Sequence, residues 1–150
     1  MMTRNLIYSK ILKVKQMNKV FKIQTRVYYE DTDAEGIVYY ANYLKFAERA
    51  RTEFLRFNGL KPETQKDGER CGFVAKKVLI DYQKSAFLDD LLDVTCEIKA
   101  INNSSVLIYQ EIKRDETVLT SIEITLVLIN ISKHRPTRIP DDMRVKLGSL

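Results

Sequence analysis

Tryptophan is absent from this 150-residue chain, and histidine, cysteine and proline are scarce, with one, two and three copies. The single histidine, His134, sits between Lys133 and Arg135 in a proline-containing tail, away from any serine elbow. A Ser-His-Asp triad is therefore not expected, and Gly-x-Ser-x-Gly, a phosphate-cradling glycine loop and histidine-rich metal spacing are all missing. Cys71 and Cys96 are isolated, so the sequence predicts neither a disulfide framework nor a zinc site, and a reducing, cytoplasmic location fits best. No apolar run approaches the roughly 18 residues that span a bilayer, which excludes a membrane-spanning helix. Any catalysis must then rest on carboxylates and backbone amides, with no metal and no cofactor.

What is present is ordinary for one globular domain: 45% hydrophobic and 30% charged residues. The net charge of +5 is unevenly placed. Arg4, Lys10, Lys13, Lys15, Lys19 and Lys22 stand among residues 1–22 with no acid, leaving 19 of the 25 basic residues against 20 acids in the rest. Such an arm could bind anionic surfaces, but it lacks the apolar stretch and cleavage site of a secretory signal. Met17 directly precedes the first strand pattern, so residues 1–16 are expected to be a disordered or spurious extension, and residues 17–150 the domain. A nucleic-acid role would rest on this arm alone and is not expected.

Phe21, Ile23, Thr25, Val27 and Tyr29 alternate with Lys22, Gln24, Arg26 and Tyr28, the period of a half-buried strand. From about Tyr40 to Asn58 the period becomes helical, with Tyr43, Phe46, Ala47, Ala50, Phe54 and Phe57 on one face and Asn58-Gly59 as a left-handed stop. Residues Lys61 to Arg70 read as a polar loop. Four further strands follow, over Phe73 to Tyr82, Leu92 to Ala100, Ser105 to Arg114 and Val118 to Ile131, the last two forming a hairpin about Asp115-Glu116. A short terminal helix is expected over Asp141 to Leu147. One long helix with five antiparallel strands is best buried by wrapping the sheet around the helix, an α+β architecture.

Between the first strand and the helix lies Tyr28-Tyr29-Glu30-Asp31-Thr32-Asp33-Ala34-Glu35-Gly36-Ile37-Val38-Tyr39-Tyr40-Ala41-Asn42-Tyr43. Read unaided, an aspartate three residues before a glycine is first a turn former or helix cap. The whole stretch, however, resembles the signature of the 4-hydroxybenzoyl-CoA thioesterase family, and Glu48-Arg49-Ala50-Arg51-Thr52-Glu53 resembles its YbgC-like branch. The resemblance extends over about Phe21 to Ile131 and implies a hotdog fold.

By that resemblance Asp33, rather than Asp31 or Glu30, is the catalytic carboxylate, and the backbone N–H of Tyr40 polarises the thioester carbonyl. Gly36 allows the sharp turn, and Val38, Tyr39 and Tyr43 join it as substrate-binding residues. Many relatives carry histidine where this chain has Tyr40, and proline is usual where it has Ser85; the role implied at position 40 belongs to the backbone. A carboxylate is ionised at neutral pH unless burial raises it strongly, and an amide aimed at the developing oxyanion contributes a rate factor of about 10² to 10³. Asp33 would either attack the acyl carbon or serve as general base toward water.

The implied activity is hydrolysis of acyl-CoA to a free acid and CoA, with CoA as part of the substrate. The implied assembly is a homodimer, commonly built into a tetramer, associated with the Tol-Pal envelope system. Two other readings stay open: hydrolysis of acyl groups on acyl carrier protein, and a non-catalytic acyl-CoA-binding or interaction module of that envelope system. Glu48, Arg49, Arg51 and Glu53 are expected to pair with one another or pack at an interface. Arg70, Lys76, Lys77, Lys84, Lys133 and Arg135 are candidate partners for CoA phosphates.

Overall fold

Phe21 stacks on the helix that follows it in sequence, its ring 5.6 Å from Phe54 and 5.4 Å from Phe57, and this contact closes the first strand over the helix. The computed structural model describes residues 20–148, so the basic extension expected over residues 1–16 lies outside them. The strands are β1 (Phe21–Arg26), β2 (Glu63–Lys66), β3 (Glu69–Tyr82), β4 (Leu91–Ile101), β5 (Ser105–Arg114), β6 (Thr117–Asn130) and β7 (Arg135–Pro136). The helices are α1 (Asn42–Phe57) and α2 (Asp141–Lys146). The sheet runs β1-β4-β5-β6-β3-β2, antiparallel throughout, with β7 beside the end of β6. This is the hotdog arrangement, a curled sheet around one long helix.

Alternation fixes which face each strand buries. Leu92, Val94 and Cys96 of β4, Val106, Ile108 and Ile112 of β5, and Ile122, Ile124, Leu126 and Leu128 of β6 form the core with Phe46, Ala47 and Ala50 of α1. On β1 the outward residues are polar, and Lys22 and Gln24 both bond the Asp93 carboxylate of β4 at 2.9 and 3.0 Å. Ala47 and Ala50 keep the helix close enough for the buried Gln110 to reach its backbone, with Nε2 donating to the Ala47 carbonyl at 2.9 Å. The helix stops where expected. Gly59 (φ 76°) supplies the left-handed residue, its N–H bonds the Arg56 carbonyl, and the Leu60 N–H bonds that of Leu55.

Among the described residues seven strands stand where five were expected. The stretch read as a polar loop holds a tight hairpin, β2 against the start of β3, turning at Asp67 (φ 52°) and Gly68 (φ 77°). Its residues Glu63, Thr64, Gln65 and Lys66 carry no apolar alternation, which hid it. The two-residue β7 pairs Ile129 and Asn130 in the tail beyond β6. β1 ends at Arg26 instead of reaching Tyr29, because the Tyr28 N–H turns to the Asp31 carboxylate (2.9 Å) and a 3₁₀ turn takes Tyr29–Asp31. The terminal helix lies where expected and buries Met143.

Among the described residues, β3 is paired on one side only from Phe73 to Tyr82, to β6. There Val74, Val78, Leu79 and Tyr82 are exposed. A bulge at Lys76 interrupts the register between Ala75 and Lys77.

Candidate active site

The chain between β1 and α1 folds into a small hairpin. Thr32 bridges Val38, the Asp33 N–H bonds the Ile37 carbonyl at 2.9 Å, and the Gly36 N–H bonds the Asp33 carbonyl at 3.0 Å. Ala34 and Glu35 are the central turn residues, and Gly36, at φ 79°, is the left-handed residue that returns the chain to the bridge. No heavy atom lies within 4 Å of a Cβ built there, so the demand for glycine is conformational. The hairpin is anchored outside itself by Val38, whose N–H bonds the Ala86 carbonyl at 2.9 Å, and by an Ile37 to Phe87 bridge.

Asp33 is half-buried at the head of this hairpin. Its Oδ1 accepts the Glu35 N–H at 3.0 Å, the local bond an aspartate makes when it forms a turn. Oδ2 has no hydrogen-bond donor among the described residues, which leaves one carboxylate oxygen for other work.

The chain then turns over Tyr39 to Asn42, where the Asn42 N–H bonds the Tyr39 carbonyl at 2.8 Å. The helix therefore begins at Asn42, two residues later than the sequence suggested, with Ala41 at the cap and no capping side chain. Tyr40 stands before the first turn instead of within it. Its carbonyl accepts the Tyr82 hydroxyl at 2.8 Å, and its N–H makes no hydrogen bond among the described residues. A free amide just ahead of α1 is available to an anion or a developing oxyanion.

Of the other residues singled out from sequence, Val38 is buried at 2% exposure and holds the hairpin to the core. Tyr43 is also buried, its hydroxyl accepting the Ala86 N–H at 3.0 Å. Tyr39 and Tyr40 are exposed and meet edge to face at 4.9 Å, while Tyr82 packs against both Tyr40 and Tyr43. Burial pushes the Tyr43 phenol up, the Ala86 bond and the Arg114 charge oppose this, and the Asp90 and Asp33 charges add to it. The Tyr39 phenol is raised by the Tyr40 hydroxyl, and less so by burial and Asp33.

Asp31 was set aside as the catalytic carboxylate, and Tyr82, Asn42 and Ala86 were not singled out, since they reach the site through contacts spanning 11 to 43 residues or through main-chain atoms. The helix charges behave unequally. Glu53 pairs with Arg56 at 2.7 Å, Arg49 lies 5.7 Å from the Phe46 ring centroid, and Arg51 donates to Gln110 Oε1 at 2.9 Å. Glu48 forms no salt bridge among the described residues. Of the cations considered for CoA, Arg70 is engaged by Glu63 and Lys133 by Glu69. A cavity of about 620 Å³ lies between Leu60, β2 and the α2 residues Asp142, Met143 and Lys146, and Asp33 is not part of its lining.

A hotdog fold with a partly free carboxylate and a free amide ahead of its long helix defines the class of protein. Residues 27–147 match the Thioesterase-like superfamily, and the chain belongs to it. It is 38% identical to the acyl-CoA thioesterase YbgC of Haemophilus influenzae over 130 residues, 87% of this chain and 96% of that protein. It is 39% identical to the acyl-CoA thioester hydrolase YbgC of Escherichia coli O6:H1, over 81% of this chain and 90% of that protein. Among solved structures, a probable thioesterase from Bartonella henselae superimposes with a TM-score of 0.77 at 34% identity, covering 81% of this chain and all of that one.

Proposed function

We propose that this protein is an acyl-CoA thioesterase, hydrolysing acyl-CoA to a free acid and CoA with the Asp33 carboxylate and the Tyr40 N–H. The observation that carries the assignment is the presence in one loop of Oδ2 of Asp33, without a donor among the described residues, and the Tyr40 amide, without an acceptor among them, in a chain whose YbgC relatives are named for this reaction. The Tyr40 N–H would donate a hydrogen bond to the thioester oxygen as negative charge develops on it, an arrangement worth about 10² to 10³ in rate.

The carboxylate can serve by two routes. As a base, Asp33 takes a proton from water while the water oxygen bonds to the acyl carbon; the C–S bond then breaks and the sulfur receives the proton. As a nucleophile, Asp33 bonds to the acyl carbon and expels CoA thiolate; water then cleaves the anhydride, its oxygen going to the acyl group, Asp33 returning as carboxylate, and one of its protons going to the thiolate. Both routes yield one acid and one CoA thiol, and both use Oδ2.

The free edge of β3, with Val74, Val78 and Leu79 exposed, supports a homodimer formed by pairing this edge with its copy, itself able to assemble into a tetramer. Two free, buried cysteines support a reducing compartment such as the cytoplasm, and no helix among the described residues is long and apolar enough to cross a membrane. An association with the Tol-Pal system rests on the likeness to the YbgC branch alone.

The test is thiol release from a panel of acyl-CoAs by wild type and Asp33→Asn. Loss of at least about 10²-fold in kcat with intact folding is expected; equal turnover in the two proteins would remove Asp33 from the mechanism.

A further inference from the structure

We propose that Asp31 is a positioning residue for this reaction, acting through Asn42 to hold the Tyr40 amide and the Asp33 carboxylate at a fixed separation. The inference rests on the thioesterase reading above. Asp31 and Asn42 are both buried, at 5% and 7% exposure, although both are polar and one is charged. Asp31 Oδ1 accepts the Asn42 side-chain amide at 3.0 Å, and Oδ2 accepts the Tyr28 N–H at 2.9 Å. Its backbone joins in, with the carbonyl accepting the Tyr39 N–H at 2.8 Å and the N–H donating to the Tyr28 carbonyl at 3.0 Å.

These four bonds tie together the residue that enters the loop, Tyr28, and two that leave it, Tyr39 and Asn42. Between Tyr28 and Tyr39 lie the 3₁₀ turn that carries Asp31 and the hairpin bearing Asp33. Tyr40 lies between Tyr39 and Asn42, both of which Asp31 holds, so the free amide is suspended between two fastened residues. Asp33 is separated from the same clamp by Thr32 alone, whose backbone bridges Val38.

A buried carboxylate without a cation is costly, and among the described residues Asp31 forms no salt bridge. Two hydrogen bonds and the positive end of α1 offset that cost. With Asn42 opposite, an asparagine in its place has one acceptor oxygen where the observed arrangement uses two, so one member of the pair has to be the carboxylate.

The experiment measures kcat and KM for thiol release by the full chain carrying Asn42→Ala, Asn42→Asp, and the exchanged pair Asp31→Asn/Asn42→Asp, with thermal unfolding of each. Removing the donor in Asn42→Ala should lower kcat about tenfold and leave KM within about twofold, the signature of lost alignment instead of lost binding. Asn42→Asp sets two carboxylates face to face and should lower kcat by roughly 100-fold. The exchanged pair again sets one amide against one carboxylate and should recover kcat to within about threefold of wild type.

Wild-type kcat in Asn42→Ala, or an exchanged pair that folds as stably as wild type yet turns over no faster than Asn42→Asp, would overturn the proposal. Asp33→Asn measured alongside separates the two layers of argument. Full activity in Asp33→Asn defeats the underlying reading of the site, whereas its loss together with wild-type kcat in Asn42→Ala defeats the clamp alone.

Discussion

Tyr43, on the first turn of α1, receives the Ala86 N–H on its hydroxyl at 3.0 Å, and the carbonyl of that same Ala86 receives the Val38 N–H at 2.9 Å. One helix side chain thereby fixes the strip of backbone on which the Asp33 hairpin rests. Tyr43→Phe keeps the ring packing against Phe46 and Tyr82 but leaves a buried amide unpaired. A loss of about 1–3 kcal/mol is expected, read from the midpoint of urea unfolding. A shift within experimental error would show that water replaces the hydroxyl.

Gly36 tests the hairpin from its other side. With φ at 79° and no neighbour within 4 Å of an added Cβ, Gly36→Ala meets a conformational penalty without a clash. It should destabilise by about 1–2 kcal/mol, while Gly36→Asn, which tolerates the left-handed region better, should lose less. Thermal unfolding of the two variants gives the order, and an equal or reversed order would refute the backbone argument.

The β1–β4 junction predicts a pH dependence. The Lys22 hydrogen bond, aided by Gln24 and by the Lys22 and Lys113 charges, holds the Asp93 carboxyl below its usual value against a partial opposing effect of burial. A group lowered in the folded state stabilises the fold above its unfolded pKa, near 3.9, and loses that contribution as pH falls through the folded value. Asp93→Asn should therefore be less stable than wild type at pH 7, and the gap should close below about pH 4. Parallel melting curves at pH 7 and pH 3 check this; a gap that persists unchanged at low pH would mean the carboxylate charge is not its source.

Cys96 gives a chemical readout of core integrity. Burial pushes its thiol up to about 12, against a smaller opposing pull from Arg51. Cys71 is buried as well. In native protein at pH 8 neither thiol should react with a disulfide reagent on the timescale of minutes, and both should react on unfolding. Rapid native reaction would show that the sheet opens at β4 or β3 without global unfolding.

How much of this was legible beforehand depended on periodicity. The helix stripe through Phe46, Ala47 and Ala50, its Asn58-Gly59 stop and the alternating β4, β5 and β6 were all readable, because each buries one face and the burial is written in the residue types. The β2 arm of the β2–β3 hairpin was not, since Glu63 to Lys66 carry no apolar residue and Asp67-Gly68 was its one available signal. The loop around Asp33 showed its residues but not its geometry. Asp31 and Asp33 look alike in sequence, one with its carboxylate buried and doubly bonded, the other with an oxygen left over. That difference is set by Asn42 and by the Tyr28 amide, whose meeting with Asp31 no periodicity encodes.

The bond from the Glu35 amide to Oδ1 of Asp33 has one more effect. Worth about 1 kcal/mol net, it favours one setting of the carboxylate plane. Because the two oxygens are equivalent, a half-turn about Cβ–Cγ restores the same arrangement, so one oxygen is always held by the turn and the other always left over.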